Sequence, residues 1–139
     1  MECLQARDKA PGSCSTCAVL NGCLDPTLAG TCEDVAGDVA GCGGSASERQ
    51  ICLRTMSDVF SSGCAATLQQ TPCVCGTVDP GLCLTGQVPP NGPVLPDYFC
   101  DFGSFDMNVL ISDFTMPAFG VGMANNILQC VAAFGCDCF

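Results

Sequence analysis

The sequence predicts a mainly α fold: a small disulfide-rich helical domain with long irregular loops. Three observations lead there. Fifteen of the 139 residues are cysteine, about 11%, above the roughly 8–10% that marks a disulfide scaffold. Apolar residues recur at helical period between polar turn segments. Gly-Cys recurs at Gly22-Cys23, Gly41-Cys42, Gly63-Cys64 and Gly135-Cys136, each after an apolar stretch with its own upstream cysteine: Cys17, Cys32, Cys52 and Cys130. A glycine just past a helix adopts the left-handed conformation without a Cβ penalty. Each unit therefore reads as a cysteine on a helix, a glycine stop, and a second cysteine turned back toward the core.

Taken in order, residues 1–13 read as an N-terminal extension and 14–85 as a disulfide-stapled helical part. Within the latter, short helical turns are expected at 15–21, 64–70 and 79–84. The last starts at Asp79-Pro80, a cap followed by a favourable first-turn proline. A helix is expected from Thr31, with Asp34 at its third position, through Cys32, Val35 and Val39 to Gly41. The clearest helix starts at Ser47: Ser47 and Gln50 have capping-box spacing, Ile51, Cys52, Thr55, Met56 and Val59 form one stripe, and Gly63 ends it. Residues 86–97 hold four of the nine prolines and read as an extended loop. Residues 98–139 read as a Phe-rich apolar C-terminal part, packed with the first as one domain. There Asp106 is placed to cap a helix over 107–114, and Ala124, Ile127, Leu128 and Val131 mark the buried face of a helix over 121–134.

Charge is sparse and one-sided. Charged residues make up 13% of the chain, fourteen acids against four bases, for a net charge of −10, while mean hydropathy is +0.39. This excludes intrinsic disorder, which needs low hydrophobicity and dense charge. A nucleic-acid partner is not expected, because little here could neutralise phosphates. All four cations, Arg7, Lys9, Arg49 and Arg54, lie in the first 54 residues; the rest of the chain carries seven acids and no base. Fifteen thiols would stay reduced in a cytosol, so the chain is expected to be exported to an oxidising space, extracellular or at the cell surface. No signal peptide is visible at the start, and the numbered chain reads as a mature form. No run approaches the roughly 20 apolar residues of a membrane span.

The expected half-cystines are Cys14, Cys17, Cys23, Cys32, Cys42, Cys52, Cys64, Cys73, Cys75, Cys83, Cys100, Cys130 and Cys136. Fifteen is odd, so at least one cysteine cannot pair within the chain. Cys3 and Cys138, near the ends, are the candidates for a free or interchain cysteine. Cys14-x-x-Cys17, Cys73-x-Cys75 and Cys136-x-Cys138 could ligate a soft metal, but the compartment argues for disulfides, and no metal or other cofactor is expected.

Catalysis has little to work with. The chain has no histidine, which removes Ser-His-Asp and Cys-His mechanisms, and its single lysine, Lys9, sits near the terminus. Asp97, Asp101, Asp106 and Asp113, with Asn108, cluster in sequence. Carboxylates on a loop could hold calcium, and a carboxylate pair could serve glycoside hydrolysis. No calcium-loop motif is present, there is no tryptophan and only one tyrosine, and these acids read as solvated charge beside an apolar surface. An enzyme is not expected.

The segments CSTCAVLNGC (14–23), ERQICLRTMSDVFSSGC (48–64), PCVCGT (72–77) and NILQCVAAFGCDC (126–138) resemble the cysteine-rich secreted proteins abundant in myxobacteria. The likeness spans most of residues 14–138. It implies an exported, disulfide-bonded, mainly helical protein, and no particular activity. A shorter stretch, CVCGTVDPGLC, is similar to fungal eight-cysteine surface domains.

Eight of the nine aromatics lie beyond residue 97. Interface cores favour aromatics and methionine while depleting charge, so Tyr98, Phe99, Phe102, Phe105, Phe114, Phe119 and Phe139 form an expected self-association surface. The leading functional expectation is a non-enzymatic secreted structural protein, a self-assembling subunit of a filament or surface layer. The alternatives are a secreted disulfide-scaffold binding module or inhibitor presenting the 86–97 loop, and a carrier of an apolar ligand such as a lipid.

Overall fold

A computed structural model describes residues 2–25, 30–39, 46–104 and 106–139. Among them are eight α-helices: α1 (Glu2–Gln5), α2 (Ser15–Leu20), α3 (Glu48–Ser62), α4 (Thr71–Cys75), α5 (Pro80–Leu84), α6 (Leu95–Phe102), α7 (Met107–Asp113) and α8 (Gly120–Ala133). The fold is mainly helical, as the sequence predicts.

Local chemistry sets most boundaries. The Ser47 hydroxyl accepts from the Gln50 N–H while the Gln50 side chain accepts from the Ser47 N–H, closing both halves of the capping box of α3. Gly63 (φ 66°) and Gly135 (φ 65°) take the left-handed conformation just after α3 and α8. Asp79 caps α5 and Asp106 caps α7 through their side-chain oxygens. Asp8 Oδ1 accepts from the N–H groups of Cys14 (2.7 Å) and Ser15 (2.8 Å) at the start of α2. The Ser15 hydroxyl, donating to Asp8 Oδ2 at 2.6 Å, together with these N–H bonds holds its carboxyl below the usual range.

The two long helices form the centre. Ile51, Cys52, Thr55, Met56 and Val59 of α3 pack against α8, which buries Val121, Ala124, Ile127, Leu128 and Val131. The approach is close: a Cβ on Gly120 would lie 2.2 Å from the Glu48 carbonyl oxygen. Residues 2–13 are tied into the domain, with Leu4 wholly buried, Lys9 paired to Asp137 at 2.6 Å and the Arg7 guanidinium 5.2 Å over the Phe60 ring.

Two expected helices differ. The Thr31/Asp34 capping box forms, but only a 3-10 turn follows, over Cys32–Asp34. Val35 is extended, Gly37 lies at φ 120°, and the chain pairs antiparallel, Asp38 with Ser47 and Val39 with Ala46. β-branched residues and a glycine at positive φ favour this short ribbon, β1 (Asp38–Val39) and β2 (Ala46–Ser47), over a helix. The Gly41-Cys42 unit lies outside the described residues. Residues 64–70 form turns rather than a helix, with Leu68 at φ 62°, inside the ring closed by Cys64–Cys73.

The proline-rich segment is docked. The N–H groups of Gly92 and Val94 donate to the carbonyls of Val74 (2.8 Å) and Cys73 (3.2 Å). A Cβ on Gly92 would sit 2.1 Å from the Cys73 oxygen, so only glycine allows this approach. The extended reading also ends early: α6 begins at Leu95, where Pro96 occupies the first turn, a position proline favours.

Candidate functional site

Six disulfides staple the described residues: Cys14–Cys138, Cys17–Cys136, Cys23–Cys130, Cys32–Cys52, Cys64–Cys73 and Cys75–Cys83. Cys100 is also disulfide-bonded, and Cys42 lies outside the described residues. The first three bridges join α2 to the C-terminal segment reciprocally. The helix cysteine of one Gly-Cys unit, Cys17, bonds the post-glycine cysteine of the other, Cys136, and Cys23 bonds Cys130. Cys138 is therefore no interchain candidate: it is buried and bonded to Cys14. Among the described residues Cys3 alone is free, and it is half-buried. Six bridges suit an oxidising environment, and no described helix is long and apolar enough to cross a membrane.

Of the expected aromatic surface, Tyr98 is buried, while Phe102, Phe114, Phe119 and Phe139 are half-buried. Tyr98 is 1% exposed and stacks with Phe114 at 5.9 Å between ring centroids. Phe102 meets Tyr98 and Phe119 edge-on, at 5.8 and 5.1 Å. Phe139 packs on Phe60 at 5.7 Å. The Tyr98 hydroxyl accepts from Asn125 Nδ2 at 2.7 Å, and burial raises its pKa above the ordinary value. Phe99 is exposed, and Phe105 lies outside the described residues.

The acids divide into two groups. Asp106 and Asp113 are on α7, at its cap and its last position, with Asn108 donating its N–H to Asp106. Asp97 and Asp101, one turn apart on α6, face inward and correct the reading of solvated acids. The cause lies at the start of α8: its cap residue, Phe119, offers no side-chain acceptor, and a helix begins with unpaired N–H groups. Glu48 Oε2 accepts from the Gly120 N–H and Asp101 Oδ2 from the Val121 N–H, both at 2.7 Å. Two carboxyls from α3 and α6 thus cap the third helix, on the side its dipole favours.

Asp97 is 1% exposed and ion-paired to Arg54. Burial pushes its carboxyl up to about 6 against the opposing pull of Arg54, with Asp58 adding to the rise. Burial pushes Asp101 up to about 7; the Val121 N–H opposes this, and the neighbouring Glu48 and Asp97 raise it further. One oxygen of each, Asp97 Oδ2 and Asp101 Oδ1, is buried without a hydrogen-bond partner. Among the described residues, no group of three or more acids or cysteines converges as a metal site. This geometry anchors helices.

The open surface lies elsewhere. Val74 of α4, Leu84 of α5, and Met107, Leu110 and Ile111 of α7, with Thr71 and Phe114, line an apolar cleft of about 240 Å³. It adjoins a second cleft beside Leu68 and Phe139 through Thr71 and Phe114, and a third beside Pro89 and Pro90 through Leu84 and Met107. Ile111 is 52% exposed, Leu68 55% and Leu84 41%. Sequence reading passed over this cleft because its walls come from three short helices. The 3.6-residue spacing of Met107, Leu110, Ile111 and Phe114 marks one apolar face but not what lies opposite.

In comparisons with known proteins, the chain matches no protein-family model, none of the curated proteins and none of the solved structures.

Proposed function

We propose that the protein is a secreted, non-enzymatic binding module whose disulfide-stapled helices present the α4–α5–α7 cleft to a partner protein. The observation that carries this reading is the exposure of Leu84 and Ile111 beside that cleft, on a scaffold held by the Cys64–Cys73 and Cys75–Cys83 bridges. A preorganised site loses little ordering entropy on binding. With the two adjoining clefts it forms an open run beside α7, which suits the anchoring side chains of a peptide segment. The docked 86–97 segment serves as one wall of the neighbouring cleft.

A peptide-display selection on the immobilised, oxidised protein tests this. Enriched peptides should share an apolar i, i+3/i+4, i+7 pattern and lose binding to an Ile111→Lys variant. A selection with no Ile111-dependent sequence would overturn the reading.

A second reading, a subunit of an extracellular assembly, is favoured by the free, half-buried Cys3. It predicts a reductant-sensitive dimer or larger species in sedimentation, abolished by Cys3→Ser; a 14.2 kDa species at high concentration under non-reducing conditions counts against it.

A further inference from the structure

We infer that the partner of the α4–α5–α7 cleft is a cationic amphipathic segment, apolar on one face and carrying Lys or Arg along its edge. The inference rests on the binding-module reading and adds the chemistry of the ligand.

Charge carries the argument. Asp106 and Asp113 stand seven residues apart at the two ends of α7, so they occupy the same flank of the helix that supplies Met107, Leu110 and Ile111 to the cleft. Asp106 is exposed and also lines the adjoining cleft beside Pro89 and Pro90. Among the described residues, Asp106 accepts from the Asn108 N–H and Asp113 from the Ser112 hydroxyl, each through one carboxylate oxygen, which leaves the other for a partner.

No cation of this chain serves that rim. Lys9 is paired to Asp137, Arg49 to Glu33 and Arg54 to Asp97, and Arg7 lies on Phe60 and donates to the Cys138 carbonyl. No cation follows residue 54. A second copy would bring another net charge of −10 with its cations committed. Anionic lipid or nucleic acid would meet like charge. An apolar groove with an acidic edge is complementary to a basic amphipathic helix, whose apolar side chains seat in the groove while its cations meet the edge.

Three blocked amphipathic peptides with one leucine face test this, their polar positions filled with Lys, Gln or Glu. Binding to the oxidised full chain is read by fluorescence anisotropy at low and high salt. The Lys peptide should bind about tenfold more tightly than the Gln peptide at low salt, as expected for two or three exposed charge contacts, and the Glu peptide more weakly than both. Asp106→Asn with Asp113→Asn should remove most of that preference; Asn still caps α7. Asp38→Asn, on the β-ribbon, should leave it unchanged, and Ile111→Lys should abolish binding of Lys and Gln peptides alike. Equal, Ile111-dependent binding of Lys and Gln peptides overturns the cationic preference and leaves the binding module standing. Lys-peptide binding indifferent to Ile111→Lys is adhesion to net charge, and overturns the inference. No binding by any peptide overturns the inference and the module reading together.

Discussion

The buried carboxyls of α6 are expected to make the protein less stable at neutral pH than at mildly acidic pH. Asp97 and Asp101 start from 3.8 and are raised to about 6 and about 7 in the fold. Below 3.8 both are protonated whether the chain is folded or not. As pH rises the unfolded chain releases these protons first, while the folded chain holds them until about 6–7. The unfolded state is therefore favoured progressively from pH 4 to about 7.5, and the loss levels off above that. At about 1.4 kcal/mol per pKa unit, ionising Asp97 within the fold costs about 3 kcal/mol and Asp101 about 4 kcal/mol. The sum is an overestimate, because the two acids interact and titrate together and water at the half-buried edge of Asp101 screens it. A net loss of about 3 kcal/mol between pH 4.5 and 8 is expected. The groups facing them are Glu48, Arg54 and Asp58 from α3 and the first N–H groups of α8. Guanidinium unfolding with disulfides intact, at pH 4.5, 6 and 8 in 0.15 M salt, measures this directly. Asp101→Asn keeps an acceptor for the Val121 N–H and adds a donor toward Glu48, so it should raise stability at pH 8 by about 1–2 kcal/mol and flatten the pH slope. Wild-type stability that rises from pH 4.5 to 8, or an Asp101→Asn variant destabilised equally at both, would refute the reasoning.

Other expectations follow from single contacts. Ser47→Ala removes one half of the α3 capping box and should cost about 1 kcal/mol in the same unfolding assay. Cys14→Ala with Cys138→Ala opens a bridge of sequence separation 124, which alone would be worth about 5 kcal/mol by loop entropy. With Cys17–Cys136 intact, the ring it closes is only residues 14–17 and 136–138, so a loss of about 2 kcal/mol is expected. Tyr98→Phe removes the acceptor for Asn125 Nδ2, which still donates to the Phe114 carbonyl at 2.8 Å; about 1 kcal/mol should be lost. A maleimide applied to the native protein should add one label, located at Cys3 by peptide mapping and absent from Cys3→Ser.

Legibility followed the range of the interaction. Ser47 with Gln50, Asp79 with Pro80, Asp106, Gly63 and Gly135 act within a turn of their own position, and each stands where sequence reasoning puts it. Thr31 with Asp34 forms its capping box too, yet the helix stops, because Gly37 and the pairing with 46–47 lie beyond what a cap controls. The helix α6 was hidden behind three prolines, although Pro96 followed by an acid in the first turn is itself a start signal. The inward turn of Asp97 and Asp101 was not legible from α6, since acids beside Tyr98 and Phe102 fit a solvated flank equally well. The available clue was at Phe119-Gly120-Val121: a helix start with no capping side chain must find its acceptors elsewhere in the fold.

By itself the sequence determined a disulfide-rich helical chain, because cysteine density, apolar period and caps are properties of neighbouring residues. It also determined that pairing leaves at least one cysteine over, by parity. Only the tertiary structure decided that Cys138 belongs to Cys14, that the C-terminal aromatics meet one another, and that Glu48 and Asp101 cap α8. Each of these depends on which surfaces meet across tens of residues, where burial of apolar area and satisfaction of backbone N–H groups outweigh any local preference. The open cleft between α4, α5 and α7 is what that packing leaves uncovered.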